Sequence, residues 1–370
     1  MANSRSWYHI DWMSILPIGM LSSIGILFVF SATYTPECPC SPFFKKQLLG
    51  LGIAWLLYII CSFIDYRTLV RWSYFLYITV IGLLLFTMIK GSIGMGAQRW
   101  INLFFFKAQP SELAKLFFPG FMVYYLYTST QTFSFSYRHY IPIILTLGLT
   151  TLLVIKQPDL GTALLLFFTG ISMLWLAGLN KKIFLYGGII ALLAAPIGYN
   201  LLKEYQKQRI AVFLGAGDNQ KERYQIEQAH IAVGSGGFYG KGFLHGTQNK
   251  LFFLPESRTD FIFAVLCEEW GFLGALLVLI LYATLFFHLL SQLTQVTSPF
   301  FQLLGAGLLL HILLATIINI GMVLGLLPIV GIPLPLMSYG LSNLWVTFMS
   351  LGWLNGIINR GQQAFTRVKK

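Results

Sequence analysis

Apolar runs long enough to cross a bilayer recur ten times along this chain, at about residues 13–33, 47–64, 72–89, 111–127, 140–155, 161–178, 183–202, 261–290, 302–326 and 340–359. A hydrocarbon core about 30 Å thick takes roughly 20 residues of helix to span. Backbone polar groups in lipid must be bonded within their own segment, so runs of this length are expected to be helices, and the alternation is far too weak for barrel strands. The fold class that follows is an all-α polytopic membrane protein of about ten transmembrane helices, with residues 1–370 forming a single transmembrane domain. Composition agrees, since only 10% of the 370 residues are charged and 56% are hydrophobic, against about 25% charged in an ordinary soluble domain. No large aqueous domain fits beside ten spans. The first run is long for a signal-peptide core and ends in no small-x-small site, so it is read as an uncleaved helix.

Lys plus Arg number 25 against 13 Asp plus Glu, a net charge of +12. In a soluble protein that excess would raise nucleic acid as a partner. Here the bases are scattered through inter-helical loops, which points to membrane lipid or a phosphorylated lipid substrate and to no nucleic acid. An even number of spans puts both termini on one side. With a cytoplasmic N-terminus, Arg5, Arg67, Arg71, Arg138, Lys181, Lys182, Arg360, Arg367, Lys369 and Lys370 fall on the inner side, against Lys45, Lys46, Lys90, Arg99, Lys107 and Lys156 in short outer loops. The positive-inside rule therefore favours both termini in the cytoplasm.

The segment from 203 to 260 is then one long extracytoplasmic loop between helices 7 and 8. Its centre, Ala229 to Gln248, is too apolar and Gly-rich for a solvated spacer, and a loop this long in a compact protein is usually functional. Short amphipathic helices lying at the membrane surface over the bundle mouth are expected there. Cys38 and Cys40 form a Cys-Pro-Cys loop with no second Cys/His pair at ligand spacing, and Cys61 and Cys267 lie in apolar runs as packing residues.

Several familiar signatures are missing. Gly240-Lys241 fails as a phosphate loop, because Ser235 stands at the first Gly position and Gly242 at the Ser/Thr position. Intramembrane ionisable groups are the better signal, because a charge at mid-bilayer persists only where it meets a partner or a wet cavity. In "QPSELAKL" (Gln109 to Leu116), Pro110 opens a helix that places Glu112 and Lys115 on one face, three residues apart. They form either a structural ion pair or a substrate-facing pair. In "LPESRTDFIFAVLCEEWG" (Leu254 to Gly271), Asp260 stands where the polar loop meets an apolar helix. Such a setting can raise a carboxylate pKa toward the range of a general base, and the competing reading is a helix N-cap. Glu268 and Glu269 lie two turns deeper and about 100° apart, so at least one is expected to be bonded inside the bundle. Asp159 in "KQPDLG" is placed to cap the next helix. "PIVGIPLPLMSYG" (Pro328 to Gly340) holds three prolines and no charge, so it should be broken or re-entrant.

These segments together, with "GAQRWI" (Gly96 to Ile101), "KQPDLGTALL" (Lys156 to Leu165) and "AVGSGGFYGKGFLHGTQ", resemble in order and spacing the SEDS family (shape, elongation, division and sporulation) from the first helix to the last. "GFLHGTQ" and the short tails look most like its RodA branch. The resemblance implies a peptidoglycan glycosyltransferase of the bacterial inner (cytoplasmic) membrane. Such an enzyme polymerises lipid II with a class B penicillin-binding protein inside the cell-wall elongation complex. It puts the family's catalytic Asp on Asp260 and its motif Glu, Lys and Arg on Glu112, Lys115 and Arg99. Gln109, Gln157, Lys241, His245, Gln248, Glu256 and Ser338 stand in the same motifs and are expected beside the substrate. Asp260 would take a proton from the acceptor hydroxyl, while Arg99 and Lys115, or a divalent cation such as Mg2+ or Mn2+, offset charge on the leaving pyrophosphate. One-step displacement would invert the anomeric centre.

The chain departs from the family pattern at Phe104, at Gly215-Ala216, and at Leu341 and Asn343. These departures are expected to alter outer loops and the packing of the last helix without touching Asp260 or Glu112. A flippase for the same lipid, another lipid-linked sugar transferase such as an O-antigen ligase, and a scaffold for cell-wall synthases are the competing functions.

Overall fold

The structure is a computed structural model that describes residues 11–94, 97–103, 106–129, 136–201, 204–213, 220–251 and 253–368. Each of the ten apolar runs is occupied by a helix: α1 (Trp12–Thr33), α2 (Pro42–Phe63), α3 (Tyr66–Lys90), α4 (Pro110–Ser129), α5 (Tyr137–Lys156), α6 (Leu160–Leu176), α7 (Lys181–Leu201), then α11 (Ile262–Thr294), α12 (Pro299–Val323) and α13 (Leu341–Val368). Between α7 and α11 lie α8 (Glu204–Phe213), α9 (Gln220–Ser235) and the single turn α10 (Thr247–Lys250). Six helices, α1, α2, α3, α5, α11 and α12, are long and apolar enough to cross a membrane, and α6 is a shorter apolar helix. Their outer faces expose Ile89, Leu145, Leu192 and Phe287, the surface that bilayer hydrocarbon would cover. The molecule is a polytopic helical membrane protein.

Local chemistry sets several helix starts. Ser41 accepts from Phe44 N at 3.1 Å with Pro42 behind it, Asp65 accepts from Arg67 N at 2.9 Å, and Asp159 accepts from Thr162 N at 3.2 Å. These short polar side chains satisfy amides that a helix leaves unpaired in its first turn. Cys38 and Cys40 are exposed free thiols and Cys61 and Cys267 are buried ones.

Two features were not expected from the sequence. The connection from α3 to α4 carries a three-stranded antiparallel sheet, β1 (Ser92–Gly94), β2 (Ala97–Leu103) and β3 (Phe106–Ala108), in the order β1-β2-β3. Phe104, Gly215 and Ala216 lie outside the described residues.

The second concerns the Gly-rich centre of the 203–260 segment. Residues 229–235 of that centre form the end of α9, one of the short helices expected in this segment, and the glycines that follow are spliced into α11. That helix breaks at Gly271, whose φ is 63°. Phe272 N and Leu273 N donate to Gly237 O and Phe238 O, while Lys241 N and Gly242 N donate to Glu268 O and Glu269 O. Amides and carbonyls that would have bonded to each other inside the helix are bonded to the loop instead, so none of these backbone groups is left unpaired. Gly240 permits this approach, because a Cβ there would lie 2.1 Å from Glu269 O and its φ is +81°. Both glutamates hold this loop. Glu268 Oε1 accepts from Lys241 Nζ at 2.6 Å, Thr247 N at 2.8 Å, Thr247 Oγ1 at 3.0 Å and Gln248 N at 3.1 Å. Glu269 accepts from Ser31 Oγ and from Leu244 N.

Candidate active site

One end of the bundle gathers the polar residues that the sequence singles out. The proline-rich stretch from 324 to 340 is free of helix, as its prolines require. It is anchored to α11 by a hydrogen bond from the Tyr282 hydroxyl to Pro335 O. From α2, the buried Gln47 donates to Ser338 O at 3.1 Å and accepts from Gly340 N at 3.3 Å. Against this stretch lies the segment that carries Asp260, immediately before α11.

Three consecutive carbonyls of that segment are held. Arg258 O accepts from Tyr339 N at 2.9 Å, Thr259 O from Ser338 Oγ at 2.5 Å, and Asp260 O from Asn319 Nδ2 at 2.8 Å. The backbone is therefore fixed while the Asp260 carboxylate is left over. Among the described residues no backbone amide or side chain is hydrogen-bonded to it, and the N-cap of α11 is Phe261 without a capping side chain. The capping reading of Asp260 fails on that geometry. The residue is half-buried, and Gly331, with φ +72°, faces it so closely that a Cβ there would lie 3.3 Å from Asp260 Oδ2. Burial first, and then the neighbouring Glu256 carboxylate, push the Asp260 carboxyl up from its ordinary value of 3.8 to about 6. Arg209 and Arg99 pull it back and Asp159 adds to the rise.

A second polar group adjoins it. Arg99, on β2, pairs with Asp159 at 3.3 Å, and the same Asp159 oxygen accepts from Gln109 Nε2 at 2.6 Å, while Gln109 also donates to Ser111 Oγ at 3.0 Å. Asp159 thus caps α6, as its position suggested, and in addition positions an arginine. One turn into α4, Lys115 Nζ lies 2.8 Å and 2.7 Å from the two oxygens of Glu112, with both residues buried. The ion pair forms. Asn343 Nδ2 of α13 donates to Glu112 Oε2 at 3.2 Å. The expectation that Asn343 leaves Glu112 untouched is therefore corrected, because α13 starts against the first turn of α4.

The other candidates divide. Glu256 lies beside Asp260, accepts from Thr259 Oγ1 at 3.1 Å and adopts φ 52°. Ser338 bonds the Asp260 segment rather than standing free. Gln157 lies elsewhere, with its amide spent on Leu84 O at 2.8 Å and Thr87 Oγ1 at 2.9 Å, tying α5 to α3. Lys241 is committed to Glu268, Gln248 meets Glu268 through its backbone, and the exposed His245 has Nδ1 against Phe243 O at 2.9 Å. Those three belong to the spliced loop. Arg209 and Asn319 were missed. Asn319 had the same signal as Glu112, a polar side chain inside an apolar run. Arg209 had none beyond its charge.

Comparison with known proteins agrees with this architecture. A profile of the FtsW/RodA/SpoVE family, described as cell cycle proteins, matches residues 11–363. Peptidoglycan glycosyltransferase MrdB of Helicobacter pylori (strain J99) is 36% identical over 353 residues, covering 94% of this chain and 90% of the relative. MrdB of Escherichia coli (strain K12) is 39% identical over 312 residues, 83% of each chain. Among solved structures, one described as showing the structural coordination of polymerization and crosslinking by a peptidoglycan synthase complex aligns with a TM-score of 0.81. It is 26% identical and covers 96% of this chain and all of that one. The rod shape determining protein RodA of Thermus thermophilus aligns with a TM-score of 0.71 at 25% identity, over 96% and 98% of the two chains. With a profile match from the first helix to the last and relatives above the 30% level over most of its length, the chain belongs to the FtsW/RodA/SpoVE family, the SEDS family its motifs resemble.

Proposed function

We propose that this chain, a peptidoglycan glycosyltransferase like its MrdB relatives, polymerises lipid II at the polar end of its bundle with Asp260 as the general base. What carries the reading is a carboxylate whose backbone is bonded at three successive carbonyls while its own oxygens have no hydrogen-bond partner among the described residues. A general base works best with a pKa near the operating pH, and a carboxyl raised to about 6 is ionised at neutral pH yet more basic than an ordinary aspartate. The donor sugar leaves as a polyprenyl pyrophosphate, already a good leaving group, so the chief task is to take the proton from the acceptor hydroxyl. Arg99, held by Asp159, and Arg209 supply positive charge beside Asp260, and Lys115 supplies it one helical turn into α4. Fixed charges of this kind stabilise an oxyanion that grows as the bond breaks. Direct displacement with a single base inverts the anomeric carbon.

Among the described residues no three His, Cys, Asp or Glu side chains converge as a metal set. A Mg2+ or Mn2+ would be held chiefly by substrate pyrophosphate, as Mg2+ often is, and no step above is routed through one. All ten apolar helices span the bacterial inner membrane in this reading, with both termini cytoplasmic, the 203–260 loop outside and residues 1–370 one domain. The partner is a class B penicillin-binding protein in the elongation complex, a pairing supported by the neighbour described as a complex that coordinates polymerization with crosslinking.

The test is lipid II polymerisation by the purified chain with its penicillin-binding partner. Asp260→Asn should lower the rate by about 10²- to 10⁴-fold, the range general-base catalysis supplies, in protein that remains folded. Normal polymer from that variant overturns the assignment.

A further inference from the structure

Asn319 lies near the end of α12, with no exposed surface. Its two amide hydrogens go to two backbone oxygens on separate segments, Asp260 O at 2.8 Å and Ile332 O at 2.7 Å. Next to the second of these stands Gly331, the residue that faces the Asp260 carboxylate. A single planar amide therefore sets the distance between the strand of chain carrying Asp260 and the strand that walls it. Its Oδ1 is buried without a partner among the described residues. A buried side chain that leaves its own acceptor unpaired while spending both donors on such a bridge is retained at an energetic cost. Ser338 and Tyr339 hold the neighbouring carbonyls from the proline-rich stretch itself, so Asn319 is the tie that reaches Asp260 from a third element.

We propose that Asn319 is a positioning residue for glycosyl transfer, holding the Asp260 carboxylate against Gly331 by bridging the two segments. The proposal rests on the reading of Asp260 as general base. It acts through Asp260 and does not place Asn319 on substrate.

Asn319→Asp keeps the shape and removes the paired donors, and Asn319→Gln keeps the donors on a longer arm. Misplacing a reacting group by about 1 Å can lower a rate on the order of 100-fold. With the full chain, its partner and lipid II, Asn319→Asp should lower kcat about 10- to 100-fold with KM within about threefold. Asn319→Gln should recover part of that loss. The acid limb of the pH–rate profile should move to lower pH in Asn319→Gln, because a carboxyl released from its wall is better hydrated and this variant adds no charge of its own. Gln302 serves as the matched control. It lies at the opposite end of α12 and its amide also donates to two carbonyls, Val296 O at 2.7 Å and Thr294 O at 3.3 Å. Gln302→Ala should change the unfolding midpoint without moving kcat or the acid limb. If Asn319→Gln keeps the wild-type acid limb, or if both Asn319 variants lose kcat only as Gln302→Ala does, the proposal is overturned. Should Asn319→Asp fail to fold, Asn319→Gln alone decides through the same limb. An active Asp260→Asn would sink the general-base reading itself, whereas an inactive Asp260→Asn beside wild-type Asn319 variants would sink only this inference.

Discussion

Among the described residues two lysine–glutamate pairs have a buried carboxylate, and they differ in what else that carboxylate holds. Glu268 presents one oxygen to Lys241, to two amides and to a hydroxyl, all from the spliced loop, and the pair joins residues 27 positions apart. Glu112 and Lys115 sit three residues apart on one helix, with Asn343 the outside partner of the glutamate. A lysine ammonium carries three donors, and among the described residues the hydrogen bonds of Lys115 go to Glu112 alone. In the first pair one carboxylate oxygen gathers four donors and closes a loop. The second is local and has donors to spare, which suits a ligand-facing role.

That contrast can be broken most forcefully at Glu268. Deleting its carboxylate strands the Lys241 ammonium, two amides and a hydroxyl at once, and each buried donor left unsatisfied costs about 1–3 kcal/mol. Glu268→Ala should therefore cost more stability than Lys115→Met or Asn343→Ala, read as a lower unfolding midpoint in detergent and as protease cleavage within 236–248. An unchanged midpoint would remove the loop-closing pair from its structural role.

Lys115→Met should act the other way round. Loss of one preorganised charge at a developing oxyanion lowers a rate by about 10²- to 10³-fold, and polymerisation should fall on that scale while the midpoint moves less than in Glu268→Ala. Pairing it with Glu112→Gln should restore stability, because neither charge is then left alone, without restoring polymer. A double variant that regains activity would make the two pairs alike.

The smallest effect belongs to Asn343→Ala, which deletes one hydrogen bond to a charged group, of the order of 1.5 kcal/mol. A polymerisation rate reduced less than Lys115→Met reduces it is expected, and an equal reduction would mean that α13, rather than Lys115, controls the site.

Much of this was legible in the sequence because it is local. The ten helices follow from run length, Glu112 and Lys115 meet because helical spacing makes them neighbours, and Asp260 stands out where a polar segment runs into an apolar one. What could not be read is non-local. Nothing in "GSGGFYGKGF" says that its glycines thread the break at Gly271, since the pairing depends on backbone groups more than 25 residues apart. The β2 strand escaped notice because its partners are three residues each. Lys241 was expected beside the substrate, and nothing near it in the sequence shows that its ion-pair partner, Glu268, lies in another element. Asn319 was overlooked for a different reason. The rule that polar groups in apolar runs are functional was applied to charges and not to an amide.

If Asp260 acts as a base from a pocket that raises its pKa, the pH dependence of lipid II polymerisation by the wild-type chain must carry its titration, and Asp260→Asn must lose it. Below its pKa the carboxyl is protonated and cannot accept a proton, so activity should climb through an acid limb near pH 6 and level off above it, with that limb missing from the residual activity of the variant. A rate flat from about pH 5 to 7 across that limb, or the same limb in Asp260→Asn, would contradict it.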